Sequence, residues 1–290
     1  MFERTEREHT YYAEAKLFTA SLRTPIKRDI EPLGVITLSE KGGYEAKPQS
    51  NFEIAEVVSF TSGYTQVAGF DATFPCEGMV TLATSVVEGL NILDVITVDR
   101  VVAQVRTIHP RTGHVPTVTF LGTRFENLRI AGHPVNLDLD LDICGGKPED
   151  DALYTREAGF LGRVARQYER LGMDQDLPAE VAERYNQLPL SSEDRETVEC
   201  SLVNRAEGSY PGHSVGHVIR IPHFGIVSLA NLRLEHSNCQ QEPGKPQNTY
   251  FNLTMIDLTL NCTGDGTIRV CEFISNGGGK PVGPPPPPGS

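Results

Sequence analysis

The chain predicts a mainly β protein, a β-sandwich or duplicated β layers with an inserted helical hairpin, and three features of its 290 residues predict it. Runs of strand length are dense in Val, Ile, Thr and Phe. Twenty-seven glycines and 20 prolines punctuate those runs, a content that favours many turns over a helical bundle. Helical periodicity is confined to one interval, residues 148–190. A β-solenoid is the alternative architecture.

Residues 1–50 carry one short apolar stretch, Ala13 to Leu22, and then the turn formers Pro25, Pro32, Gly42 and Gly43, so a strand with loops is expected there. Residues 51–147 form a first β half that closes on the alternation Val135, Leu137, Leu139, Leu141, Ile143 against Asn136, Asp138, Asp140, Asp142. That pattern predicts a single strand with one wet face. Within 148–190, Leu153, Phe160, Leu161, Val164, Tyr168 and Leu171 recur at spacings of three and four, with Arg156, Arg163, Arg166 and Arg170 between them. An amphipathic helix follows, stopped at Gly172, its arginines expected to form a solvated face balanced by Glu157 and Glu169. Asp176 is the expected N-cap of a second helix that holds Pro178 and Glu180 early and ends near Leu188 and Pro189. Residues 191–276 form a second β half. The tail 277–290, with its five-proline run, is expected to be a disordered spacer that favours polyproline II geometry.

Phe125-Glu-Asn-Leu-Arg-Ile130 lines up with Leu229-Ala-Asn-Leu-Arg-Leu234, and Met255 to Leu260 follows the pattern less closely. The unequal spacing favours related β layers over a solenoid, which needs a fixed period. The segments VVEGLNILDVITVDRVVAQV, FLGTRFENLRIAGHPVNLDL and GHVIRIPHFGIVSLANLRL resemble uncharacterised bacterial β-rich proteins of unknown function. The x-L-x-I-x-G-x-P-V element is more distantly similar to the bacterial surface proteins called choice-of-anchor proteins, β-rich ectodomains with interchangeable C-terminal anchors. The resemblance spans about residues 80–260 and implies a β-rich, surface-associated protein with no catalytic residues to carry over. The chain departs from that group in showing no signal peptide and no anchor helix.

Charge excludes one class of partner. Twenty-six basic residues against 38 acidic ones leave a net charge of −12, and no segment concentrates the cations that a nucleic-acid backbone requires. No apolar run is long enough to span a membrane, and the charged start MFERTEREHTYYAEAKLF is no secretory signal. The expected address is therefore cytoplasmic, with an extracellular or particle-associated location as the alternative. The six cysteines lack CxxC spacing and read as reduced, buried thiols; the alternative is a disulfide among Cys239, Cys262 and Cys271. No phosphate-binding glycine loop is present, and no cofactor is expected.

The candidate catalytic signal is Gly212-His213-Ser214-Val215-Gly216, which satisfies the G-x-S-x-G pattern of a nucleophile elbow. That chemistry needs a strand-to-helix turn, yet the residues after Ser214 read as strand, with Pro222 where a helix would run. If Ser214 were the nucleophile, His223 or His236 would have to serve as base. Asp138, Asp140 and Asp142 begin like a calcium loop but lack its glycine and its closing glutamate. His213 and His217 are the candidate metal pair of the second half. The function expected is a non-catalytic structural or interaction module with protein partners or self-association, self-assembling or part of a bacterial particle or surface structure. A hydrolase using Ser214, or a metal-dependent enzyme using the second-half histidines, is the alternative.

Overall fold

The computed structural model describes residues 9–24, 27–54, 57–73, 78–111, 115–149, 152–186, 197–237, 248–261 and 265–276. Cys76, Cys239, Cys262, Leu188, Pro189 and the proline-rich tail lie outside the described residues. The fold is mainly β. One sheet runs in the order His213–Val215, Val218–Ile221, Gly225–Ser237, Asn248–Leu260, Asp265–Asn276, Ala13–Thr24, Arg28–Leu33, every pair antiparallel. The other is built around Ser62–Ala72, Gly78–Ile92 and Ile96–His109. The two pack face to face, with Ala13–Thr24 and Asp265–Asn276 lying over Gly78–Ile92.

The layers do not coincide with the halves of the sequence. Ala13–Thr24 pairs along most of its length with Asp265–Asn276, so the start of the chain completes the sheet made by its end. Among the described residues, the first 50 hold not one strand but four: Ala13–Thr24, Arg28–Leu33 and Ile36–Thr37 join the first sheet, while Gly43–Gln49 forms an edge of the second. Pro48 is tolerated there because an edge strand leaves one row of amides unpaired. Nor does the internal similarity mark equivalent places. Leu229–Leu234 lies inside a long central strand, whereas residues 125–130 split into Arg124–Glu126 and Arg129–Ile130, laid on Ile96–His109.

A crease crosses four neighbouring strands of the first sheet. Leu17, Ala230, Met255 and Cys271 drop out of the cross-strand register at the same level, and Ala230 and Cys271 take φ values of 47° and 51°. The buried face changes parity there: Ala13 and Ala15 give way to Phe18, Ala20 and Leu22, and Phe251 and Leu253 to Ile256, Leu258 and Leu260. Left-handed backbone costs a non-glycine residue about 1–3 kcal/mol, a cost offset here because all four residues bury their side chains in the core.

The insertion begins with a 3-10 turn at Tyr154–Arg156 and continues as helix α1, Ala158–Gly172. The Glu157 carboxylate caps α1 by accepting from the amides of Gly159 and Phe160. Phe160 and Val164 enter the main core, and Tyr154 meets Phe251 edge-on with ring centroids 5.8 Å apart. Helix α2, Ala179–Asn186, is not capped by Asp176. Asp174 organises the turn instead, its Oδ1 accepting from the Asp176 amide at 2.9 Å and the Leu177 amide at 3.1 Å. Leu171, Leu177, Tyr185 and Val218 then form a small second core that seats the insertion on the hairpin 213–221.

Candidate functional site

The G-x-S-x-G segment is a β-hairpin. His213–Val215 pairs with Val218–Ile221 around Gly216 and His217, and Gly216, with φ at 56°, takes the first position of the two-residue loop, where glycine suits a type II′ turn. Gly212 is required by close approach, since a Cβ there would meet the Arg220 carbonyl oxygen at 2.4 Å. Both glycines thus serve the hairpin, and the strand-to-helix elbow is replaced by strand on both sides. Ser214 Oγ donates to the Ala206 carbonyl at 3.0 Å. His223, with φ at 59°, lies in the next turn and His236 is buried at the far end of Gly225–Ser237, its Nδ1 3.0 Å from Thr249 Oγ1. Burial, with Arg156 nearby, lowers the His236 pKa to about 4.

The two histidines of the hairpin point to different partners. His217 is buried, with Nε2 3.0 Å from the Tyr185 hydroxyl. His213 Nε2 lies 2.9 Å from Asp174 Oδ2. Burial alone would raise the Asp174 pKa, but the hydrogen bonds from His213 and from the amides of Asp176 and Leu177 outweigh it and hold the carboxyl below its ordinary range. Asp174, Asp176 and His213 form the grouping with metal-ligand chemistry among the described residues, their donor atoms lying within 4.8 Å of one another. Asp174 already spends both oxygens on these bonds, and Arg220 donates to the Asp176 carbonyl at 3.1 Å, which brings a cation alongside.

Asp138, Asp140 and Asp142 do not line one strand face. The strand ends at Leu139, and Asp140 turns the chain by accepting from the Asp142 amide at 3.2 Å. The reason is that this strand has one short partner, Val203–Glu207, whose register shifts beside Asp138. Asp138 and Asp140 instead face α1 across a cleft of about 240 Å³ lined also by Arg163, Arg166, Gln167, Arg170, Asn204 and Arg205.

Three side chains of the helix wall, Arg163, Gln167 and Arg170, bond to backbone. Gln167 is buried and bonds both ways with Ser201, donating to its carbonyl at 2.8 Å and accepting from its amide at 3.0 Å. Arg163 Nε donates to the Ile143 carbonyl at 2.7 Å, lying so close over Gly145 that a Cβ there would be 2.7 Å from its Nη2. Arg170 reaches the Asn204 carbonyl at 3.5 Å. On the strand wall, Arg205 stands opposite Asp138 in register but bonds Glu207 at 2.8 Å. Among the described residues, the side chains of Arg166 and Asp138 make neither a hydrogen bond nor an ion pair. Sequence reasoning placed the arginines on a solvated helix face and missed Gln167, Asn204 and Arg205. The spacing of Arg163, Arg166 and Arg170 put three cations on one face, but nothing in the sequence set the aspartates before it.

The cysteines offer no nucleophile among the described residues: Cys144, Cys200 and Cys271 are buried free thiols, and burial pushes their pKa up, that of Cys271 to about 12. A family model described as a domain of unknown function (DUF8256) matches residues 9–235. No curated protein and no solved structure matches the chain. No helix among the described residues is long and apolar enough to cross a membrane.

Proposed function

Because the chain belongs to this family of domains of unknown function, whose description names no activity, we propose from its geometry that it is a non-catalytic interaction module holding an anionic group of its partner in the arginine cleft. One observation carries this reading: Arg166 lines the cleft and engages no carboxylate, although Asp138 stands in the same cleft. Guanidinium groups match carboxylate and phosphate oxygens in paired hydrogen bonds. On a chain of net charge −12, four arginines gathered in one concavity draw an anion to that place. Titration of the full chain with inorganic phosphate in a calorimeter tests it. Saturable uptake is expected, lost in the Arg166→Ala, Arg170→Ala double variant with the melting temperature kept; no uptake by the parent chain, or equal uptake by both, overturns it.

Self-association is a second reading, favoured by the outer face of the second sheet. Tyr44, Tyr64 and Phe70 are 63%, 36% and 50% exposed, and the pairing of Tyr44 with Ala68 places all three on one face beside the edge strand. A bacterial particle or surface structure would be its setting. Light scattering should then give a mass above the 31.8 kDa monomer that Phe70→Glu reduces. Labelling by a fluorophosphonate probe that Ser214→Ala removes would overturn the non-catalytic reading altogether.

A further inference from the structure

Resting on the reading of the cleft as an anion site, we infer that its ligand is a small zwitterion, an oxyanion with an ammonium group a few ångströms away, as in an amino acid or a phosphoethanolamine. The inference comes from what the cleft does with its own charges. Helix α1 presents Arg163, Arg166 and Arg170 from one wall; Asp138 and Asp140 stand on the other. The attraction between opposite charges grows as their separation falls, and these two walls stand across a gap. Here no ion pair forms between these walls among the described residues, and the exposed side chains of Arg166 and Asp138 make no other bond either. Arg163 and Arg170 are tied to carbonyls of Ile143 and Asn204, Gln167 is locked to Ser201, and Arg205 is turned to Glu207.

The result is two walls of opposite charge across a gap. A simple dianion would satisfy the guanidinium wall but meet two carboxylates, which accept hydrogen bonds and offer none. A simple cation would meet the reverse problem. A ligand with both charges satisfies both walls at once, and because the walls are already separated no internal ion pair has to be broken to admit it. The size agrees: about 240 Å³ is below the usual range for drug-sized ligands and suits a molecule of amino-acid dimensions. Asp138 is thereby assigned as a residue that sets specificity, and Arg166 as one that supplies affinity.

Calorimetric titration of the full chain with O-phosphoethanolamine, inorganic phosphate, ethanolamine and glutamate separates the two layers of the argument. O-phosphoethanolamine or glutamate should bind at least about tenfold more tightly than phosphate, and which of the two is tighter tells phosphate from carboxylate recognition, either order supporting the zwitterion. Asp138→Asn, Asp140→Asn should remove that preference while phosphate binds as well as before or better; Arg166→Ala, Arg170→Ala should remove binding of all anions. Equal affinity for phosphate and the zwitterions, or a preference that survives Asp138→Asn, Asp140→Asn, overturns this inference and leaves the anion site standing. No anion binding at all overturns the site itself, and the inference with it.

Discussion

Two surfaces flank the helical insertion, and they treat polar groups in opposite ways. On the hairpin 213–221, Ser214 bonds Ala206, His213 bonds Asp174, His217 bonds Tyr185 and Arg220 bonds the Asp176 carbonyl. In the cleft between α1 and Val203–Glu207, Arg166 and Asp138 share one concavity and bond nothing among the described residues. The hairpin carries the catalytic-looking sequence, and its groups are spent on the insertion and on the neighbouring strand Val203–Glu207. The cleft carries no recognisable motif, and two of its charged groups, Arg166 and Asp138, are unspent among the described residues. A polar side chain whose bonds are already made serves the fold, and one without them is available to a ligand.

Breaking the attachment should give the largest effect. Phe160→Ala removes a fully buried ring where α1 enters the main core and is expected to cost about 3–5 kcal/mol in urea unfolding, with hairpin and cleft lost together. Next comes acid. His236 is 2% exposed with a pKa near 4 in place of 6.5, so between those values the unfolded chain takes up a proton that the folded chain refuses. Stability should be complete above pH 6.5 and fall as the pH drops toward 4, by about 3 kcal/mol at most, a loss that His236→Gln removes from the unfolding curve. Asp174, held below its ordinary range, adds a loss in the same direction once the pH falls below the usual carboxylate values. Tyr185→Phe, on the spent side, takes the hydroxyl from a buried histidine and should cost about 1–2 kcal/mol. Arg166→Ala and Asp138→Asn, on the unspent side, should each change stability by no more than about 0.5 kcal/mol. A cleft variant as destabilising as Tyr185→Phe would erase the contrast.

The sequence showed the fold class and little of what builds the site. The period of Phe160, Val164 and Leu171 announced α1, because one helix face must be apolar to dock. Strand character was equally plain from Val, Ile and Thr density. Alternation misled at Asp140, where a turn ends the strand, and was silent at the crease, because the change of parity at Leu17, Ala230, Met255 and Cys271 is a property of four aligned strands and not of any one. The pairing of Ala13–Thr24 with Asp265–Asn276 joins the two ends of the chain, a distance no local pattern reports. The glycines of 212–216 were visible but ambiguous: a hairpin and an elbow need glycine for the same steric reason. The cleft was invisible for a similar cause, since Arg166 and Asp138 come to line one cleft only through the packing of α1 on Thr197–Ser201.

Arginine side-chain NMR, following the guanidinium Nε–H signals while inorganic phosphate is added to the full chain, tests the contrast most directly. Saturable shifts confined to Arg163, Arg166, Arg170 and Arg205, with Arg220 of the hairpin unmoved, are the predicted result. Shifts spread evenly over all arginines, or none at the cleft, would contradict the account.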